Sequence, residues 1–367
     1  MEHEFTAQIV QILQAAFGED GMGIYERSPL LQYLNIKTRS AAQGSKSRGS
    51  FANLYAVYVL VEDYLKNSFD TTNNYADYEG ARFTDLLTRQ RQLPFGSKLQ
   101  NHALISRMNE EFRRYFPQVD ILPILRDAQT NRYWINENLL KITDKQKTVN
   151  IARVVLAVID QYVAAKQSAL KIFIETCERL QTIAGEHDAT VSIFIRELLS
   201  PQSDARIFEI VSYAILRYYY YNQIVYFGFD LDHLQEENLL LFKTGRTNAN
   251  DGGIDFVMRP LGRFFQVTET LDVKKYFLDI DKIEHYPISF VIKSNEEVAS
   301  LLFRLREGAI KQYGVKTIVE KYMACIEEVI NIPILLERFE AAKSQGHLRS
   351  ILGEIVAQSK IEFNFNS

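Results

Sequence analysis

The residues best suited to chemistry in this chain lie between Lys243 and Glu269. Asp255 follows a Gly-Gly pair within a short apolar segment, Ile254 to Met258. Leu261-Gly262 marks a tight reversal, after which residues 264–270 read as a second strand carrying Gln266 and Thr268. Side chains alternate faces on a strand, so Gln266 and Thr268 share one face while Phe265, Val267 and Glu269 share the other. Two antiparallel strands joined by a short turn therefore set the Asp255 carboxylate beside the Gln/Thr pair. A carboxylate among neutral oxygens is a donor set for a hard divalent cation such as Mg²⁺. A further acid, Glu209, lies upstream in an apolar run, where a buried carboxylate needs a cation or a hydrogen-bond donor. Singly, each feature has a plainer reading. Asp251-Gly252-Gly253 makes a hairpin turn, Gln-x-Thr the solvent face of an edge strand, and Glu209 an exposed helical position. Their conjunction favours a site.

The elements that must hold these groups follow from periodicity. Apolar spacing predicts helices over 3–17, 51–66, 81–93, 99–115 and 135–141, then a long helix over 148–183. A short helix over 188–200 ends at Pro201. Residues 34–50, small and polar, read as a linker, and 67–80 as a loop. From Ser203 the texture changes to a helix over 204–220, a mixed segment, strands over 254–259 and 264–270, a helix over 273–284 and a strand over 288–293. Helices return over 296–312, 316–330, 333–344 and 347–358. The expected fold is α/β, a small mixed sheet flanked by helices, with a large mainly α-helical N-terminal region. The expected divisions are 1–147, a connector over 148–202, a core over 203–295 and C-terminal helices over 296–367 packing on that core.

The pattern Gly-Gly-Ile-Asp255, a hairpin, then Gln266-x-Thr268 resembles the PD-(D/E)xK nuclease superfamily, most closely its Mrr-like branch. An upstream helix bearing Glu belongs to the same pattern, and Arg206-Ile-Phe-Glu209-Ile-Val matches it. The whole chain looks like a type II restriction endonuclease. The resemblance implies a PD-(D/E)xK-like core, Mg²⁺ as cofactor, double-stranded DNA as substrate and a homodimer matched to a palindromic site. It implies Asp255, Gln266, the Val267 carbonyl and Glu209 as metal ligands, and Glu209, Asp255, Gln266, Thr268 and Glu269 as the catalytic neighbourhood. One position departs from the pattern: the family lysine is replaced by Thr268. Glu269, Lys243, Arg263, Lys274 and Lys275 are the candidate replacements, and spacing does not choose among them.

Cations cluster where DNA contact is expected. Lys37, Arg39, Lys46 and Arg48 are interleaved with Ser and Gly, and no acidic residue stands between Asn35 and Val61. Lys and Arg neutralise phosphates, and small residues let the backbone approach them. Lys243 and Arg246 extend this set beside the metal motif, and the 1–147 region is the expected recognition part. A second cluster, Arg89 to Arg114, is diluted by Glu110 and Glu111. The Tyr218–Tyr221 run offers base stacking, but packing of its helix onto a sheet is the commoner use.

Composition sets the outer bounds. The chain has 367 residues and a net charge of −4, so a nucleic-acid surface must be local rather than global. No apolar run is long enough to cross a membrane, the first residues lack the pattern of a signal peptide, and Cys177 and Cys325 read as separate buried thiols, which suits the cytoplasm. No phosphate-binding loop or Gly-x-Ser-x-Gly motif occurs, which argues against nucleotide and serine hydrolysis. His233 and His285 lack metal-ligand spacing. The rival readings are a repair or junction nuclease on the same core, a DNA-binding module with a decayed nuclease fold, and a purely structural helical protein.

Overall fold

A computed structural model describes residues 2–39, 47–72, 74–97, 99–144, 147–244 and 254–363. Two compact units, Met1–Ile172 and Phe173–Ser367, divide the chain. The boundary falls inside one 32-residue helix, so the segment expected to connect two regions is shared between units.

The first unit contains α1 (Glu4–Phe17), α2 (Gly21–Arg27), α3 (Pro29–Thr38), α4 (Ser47–Lys66), β1 (Ala81–Arg82), α5 (Phe83–Gln92) and α6 (Met108–Tyr115). After these come β2 (Ile124–Asp127), β3 (Arg132–Ile135), β4 (Lys141–Asp144), β5 (Lys147–Asn150) and the start of α7 (Ala152–Ile183). Helix α4 is buried at every residue from Phe51 to Val61, which is why its sequence is apolar all round. The small sheets β1-β3-β2 and β4-β5 accompany it. They replace the helix expected over 135–141. Tyr133 and Ile135 alternate inward as strand residues do, and the Asn136 side chain then accepts from the Asn138 amide to form a turn. The expected linker is also corrected in its first part. Leu34–Thr38 closes α3, whose Leu34, Asn35 and Thr38 are buried. Asn35 accepts from the Thr6 hydroxyl at 3.0 Å, so a polar residue here serves packing.

The second unit is a five-stranded mixed sheet with helices on both faces. After α8 (Asp188–Leu198) and α9 (Ala205–Tyr220) come the hairpin β6 (Ile224–Phe227) and β7 (Gln235–Asn238). Then follow β8 (Leu240–Lys243), β9 (Phe256–Arg259), β10 (Arg263–Thr268), α10 (Val273–Lys282), β11 (Ile288–Ile292), α11 (Val298–Tyr313), α12 (Lys316–Ala324), β12 (Ile326–Ile330), α13 (Ile332–Ser344) and α14 (Leu348–Phe363). The sheet order is β12-β11-β10-β9-β8. Strands β8, β9 and β10 are antiparallel neighbours, and β10, β11 and β12 run parallel. Residues 316–330, expected as one helix, form α12 and then the edge strand β12.

Aromatic contacts identify the two faces. Phe256 and Phe265 meet Tyr213 and Tyr220 of α9, with ring centroids 5.2 and 6.2 Å apart. Thus the tyrosine run ending α9 serves helix-to-sheet packing through Tyr220. Phe290 of β11 meets Tyr276 of α10 at 4.4 Å on the other face. Among the described residues, no helix is long and apolar enough to cross a membrane. Cys177 is buried and Cys325 half-buried, and both are free thiols.

Candidate metal centre

Pairing between β9 and β10 runs from Met258↔Arg263 to Phe256↔Phe265. At Asp255 the ladder changes partner. Its amide still donates to the Phe265 carbonyl at 3.0 Å, but its side chain, not its backbone, takes the next rung. Asp255 Oδ2 accepts from the Val267 amide at 2.7 Å. The end of β8 grips Asp255 from the other side, where the Thr244 amide donates to the Asp255 carbonyl at 3.0 Å.

Backbone polar groups of successive strand residues point to opposite neighbours. The Phe265 carbonyl serves Asp255 while the Thr268 carbonyl serves Lys293 of the β11 side, so Val267 directs both N–H and C=O toward Asp255. Gln266 comes to the other end of the same residue: its Nε2 lies 3.4 Å from the Val267 carbonyl oxygen. Turning the amide over would set oxygen against oxygen, so Oε1 is the atom left over. That atom is buried and has no hydrogen-bond partner among the described residues. Asp255 and Gln266 therefore bracket one residue, Val267, one at its N–H and the other at its C=O, with the Gln266 amide oxygen still lacking a partner.

The charges around this point are unequal. Burial, then the nearby Glu209 carboxylate, pushes the Asp255 carboxyl up to about 8, while the Val267 amide, Lys275 and Lys243 act the other way. Glu209 projects from α9 and pairs with Lys243 of β8 at 2.7 Å, their side chains 27 % and 17 % exposed. Lys243 stands opposite Phe256 in register, which places it on the α9 face with its partner.

Gln266 stands opposite Phe290 in register and so belongs to the α10 face, as does Thr268. Thr268 is buried and donates to the Thr270 carbonyl at 3.1 Å. It offers no cation, and its hydroxyl is engaged. Glu269 lies on the opposite face, as a regular strand requires, and pairs with Lys293 at 2.8 Å. Of the candidate replacement cations, Arg263 sits at the far end of β10 between Glu327 and Glu328. Lys274 and Lys275 are exposed on α10, and the charge of Lys275 reaches Asp255.

Lys293 was missed by sequence reasoning. It follows the fully buried strand Ile288–Ile292, and its side chain is 2 % exposed. Its ammonium also donates to the Ser203 carbonyl and lies 5.8 Å from the Phe208 ring centroid. A lysine directly after an all-apolar strand is the signal that could have found it, since a buried ammonium requires an anion.

The residues expected to touch DNA are scattered differently. Lys37 is in α3 with its side chain 11 % exposed and paired with Glu111, so its charge is already compensated inside the fold. Arg39 caps α3 at the surface. Arg48 lies in α4, but its side chain falls outside the described residues, as do Lys46, Arg246 and Asp251 entirely. Among the described residues, no group of three or more His, Cys, Asp and Glu side chains could hold a metal ion. The arrangement at Val267 instead combines one carboxylate, Asp255, with the Gln266 amide and a peptide oxygen, while Glu209 acts on Asp255 from the α9 face.

Comparison with family models, curated proteins and solved structures finds no match to this chain.

Proposed function

We propose that this chain is a Mg²⁺-dependent endodeoxyribonuclease of the restriction type, acting on double-stranded DNA as a homodimer. The observation that carries the reading is the meeting of the Asp255 carboxylate and the Gln266 amide at Val267, with the Glu209 carboxylate acting on Asp255 from the α9 side. The order of elements also supports it, with a helix bearing Glu209, three antiparallel strands bearing Asp255 and Gln266, a helix and a parallel strand. With the β6–β7 hairpin set aside as an insertion after the helix, this order supports reading the core as PD-(D/E)xK-like.

The donor set fits a divalent cation. The unpartnered Gln266 Oε1 and the Val267 carbonyl are neutral oxygens, and Asp255 is an acid whose charged form lacks stabilisation in the metal-free protein. Asp255, Gln266 and the Val267 carbonyl would hold the ion, with Glu209 alongside. When bound there, Mg²⁺ supplies charge stabilisation at the phosphodiester and lowers the pKa of a water. The Val267 amide fixes the Asp255 carboxylate, and Lys243 fixes Glu209. Lys275 supplies the positive charge that Thr268 lacks, since Lys243 and Lys293 are each engaged by a glutamate.

The test is digestion of phage DNA with and without Mg²⁺, followed by sequencing of the ends. Discrete fragments with a common end sequence are expected, and Asp255→Ala should lower cleavage roughly a thousandfold or more. Random nicking, or cutting confined to branched DNA, would favour a repair or junction nuclease. One observation favours a second reading, a DNA-binding module with a decayed nuclease fold: Thr268 is buried and self-satisfied where the pattern has a lysine. Sequence-specific binding without any cleavage in Mg²⁺ or Mn²⁺ would establish that alternative.

A further inference from the structure

The hairpin β6–β7 plays no part in the metal centre, yet it is carefully built. Its strands pair from Ile224↔Asn238 to Phe227↔Gln235. At the tip, Asp230 Oδ1 accepts from the Asp232 amide at 3.0 Å and lies 2.6 Å from His233 Nδ1, fixing a short 3₁₀ turn. Gly228 approaches the His233 carbonyl so closely that a Cβ would stand 2.3 Å from its oxygen, so only glycine fits. This ordered tip presents its apolar groups to water. Phe229 and Leu231 are 107 % and 86 % exposed, and Ile224, Tyr226, Phe227 and Leu234 are between 40 % and 66 %. A two-stranded ribbon is marginal by itself and gains stability by packing on something else. Contiguous exposed apolar surface of this kind marks an interaction site.

The character of the partner follows from charge. Between Tyr221 and Leu240 stand Asp230, Asp232, Glu236 and Glu237, and no Lys or Arg. Such an arm is repelled by phosphate and suits a basic apolar protein surface. The same chain offers one. Phe277 of α10 is stacked between Tyr313 and Tyr322, with centroids 5.2 and 4.2 Å away and planes within 8°. These rings line a cavity of about 400 Å³ together with Lys274, Leu278 and Ile318. Asp281 also lines it but is engaged by the Tyr322 hydroxyl at 2.6 Å. Helices α10 to α12 carry eight Lys and Arg against four Asp and Glu.

We propose that the arm of one copy seats Phe229 and Leu231 in the α10–α12 groove of a second copy, and the reverse, giving a two-fold arm-exchanged homodimer. The acidic flanks of the tip then face the basic helices around the groove. An aromatic side chain buries about 150–250 Å², and the three of each arm, Tyr226, Phe227 and Phe229, together with Ile224, Leu231 and Leu234, contribute toward the roughly 800 Å² per partner of a standard interface. The inference rests on these two surfaces alone and holds whether or not the metal reading does.

The experiment measures mass in solution, by light scattering or sedimentation, for metal-free and DNA-free protein at micromolar concentration. Wild type is expected as a dimer. The arm double variant Phe229→Asp/Leu231→Asp and the groove double variant Leu278→Asp/Ile318→Asp are each expected as folded monomers, with self-association weakened by about a hundredfold or more. Mixing the two monomers should yield a heterodimer, because one intact arm then meets one intact groove. Monomeric wild type, a dimer that survives the arm substitutions, or failure of the mixed pair to associate would each overturn the proposal. Should the arm variant stay dimeric and lose binding to a DNA duplex, the tip is a DNA wedge instead.

Discussion

Two lysine–glutamate pairs stand on the α9 face of the central sheet, and they serve different ends. Lys293 and Glu269 lie 2.8 Å apart, and the lysine is almost wholly buried, with a carbonyl and a phenyl ring completing its surroundings. Lys243 and Glu209 lie 2.7 Å apart, but both are partly open to solvent and both act on Asp255. The first pair has every partner it needs and ties β11 to the start of α9. The second stands next to a further carboxylate, Asp255, and keeps partial access to solvent. The difference teaches that residue type and distance do not separate structural from functional ion pairs. What lies beside each pair does.

The comparison can be broken most forcefully at Lys293. Lys293→Met should destabilise the protein by about 2–4 kcal/mol in urea unfolding, because Glu269 and the Ser203 carbonyl lose their buried cation. The folded fraction should still cut DNA, and a stable but inactive Lys293→Met protein would reverse the roles assigned to the two pairs. A smaller effect is expected at Asp255 in metal-free buffer. Its carboxyl is raised in the folded state, so the ionised form opposes folding; the penalty is full above about pH 8 and fades as pH falls toward the ordinary carboxylate range. Asp255→Asn should accordingly raise Tm more at pH 9 than at pH 5, and an equal gain at both would refute the electrostatic account. The smallest stability change belongs to Lys243→Met, about 1–2 kcal/mol, because its side chain keeps 17 % exposure against 2 % at Lys293. Its Mg²⁺-dependent cleavage should nevertheless fall about ten- to hundredfold, as for residues that orient metal ligands.

Much of the second unit was legible in advance. Asp255, the Leu261-Gly262 turn and the alternation through Gln266 and Thr268 fix β9 and β10, and the period of α9 fixes where Glu209 lies. Strand β8 was not legible, because Leu240-Leu-Phe-Lys243 is short and lacks polar alternation. Strand β12 was hidden for a related reason: no Gly or Pro separates Ile326 from the helix that precedes it. At the site, the strand pattern brings Asp255 and Gln266 near each other. It does not reveal that they meet at one residue, Val267, since that depends on β9 beginning one residue later than its partner strand would allow. Lys37 illustrates the opposite failure, for a cation in a polar stretch reads as solvent-facing until Glu111, distant in sequence, is folded against it.

The rung between Asp255 and Val267 has one more consequence. Backbone ladders are indifferent to proton concentration, because neither an amide nor a carbonyl titrates in the ordinary range. Here the last link of the seam ends on a group that does. Protonation or neutralisation at that carboxylate therefore alters how firmly the two strands are closed at their tip, and the sheet carries a chemically addressable zipper stop.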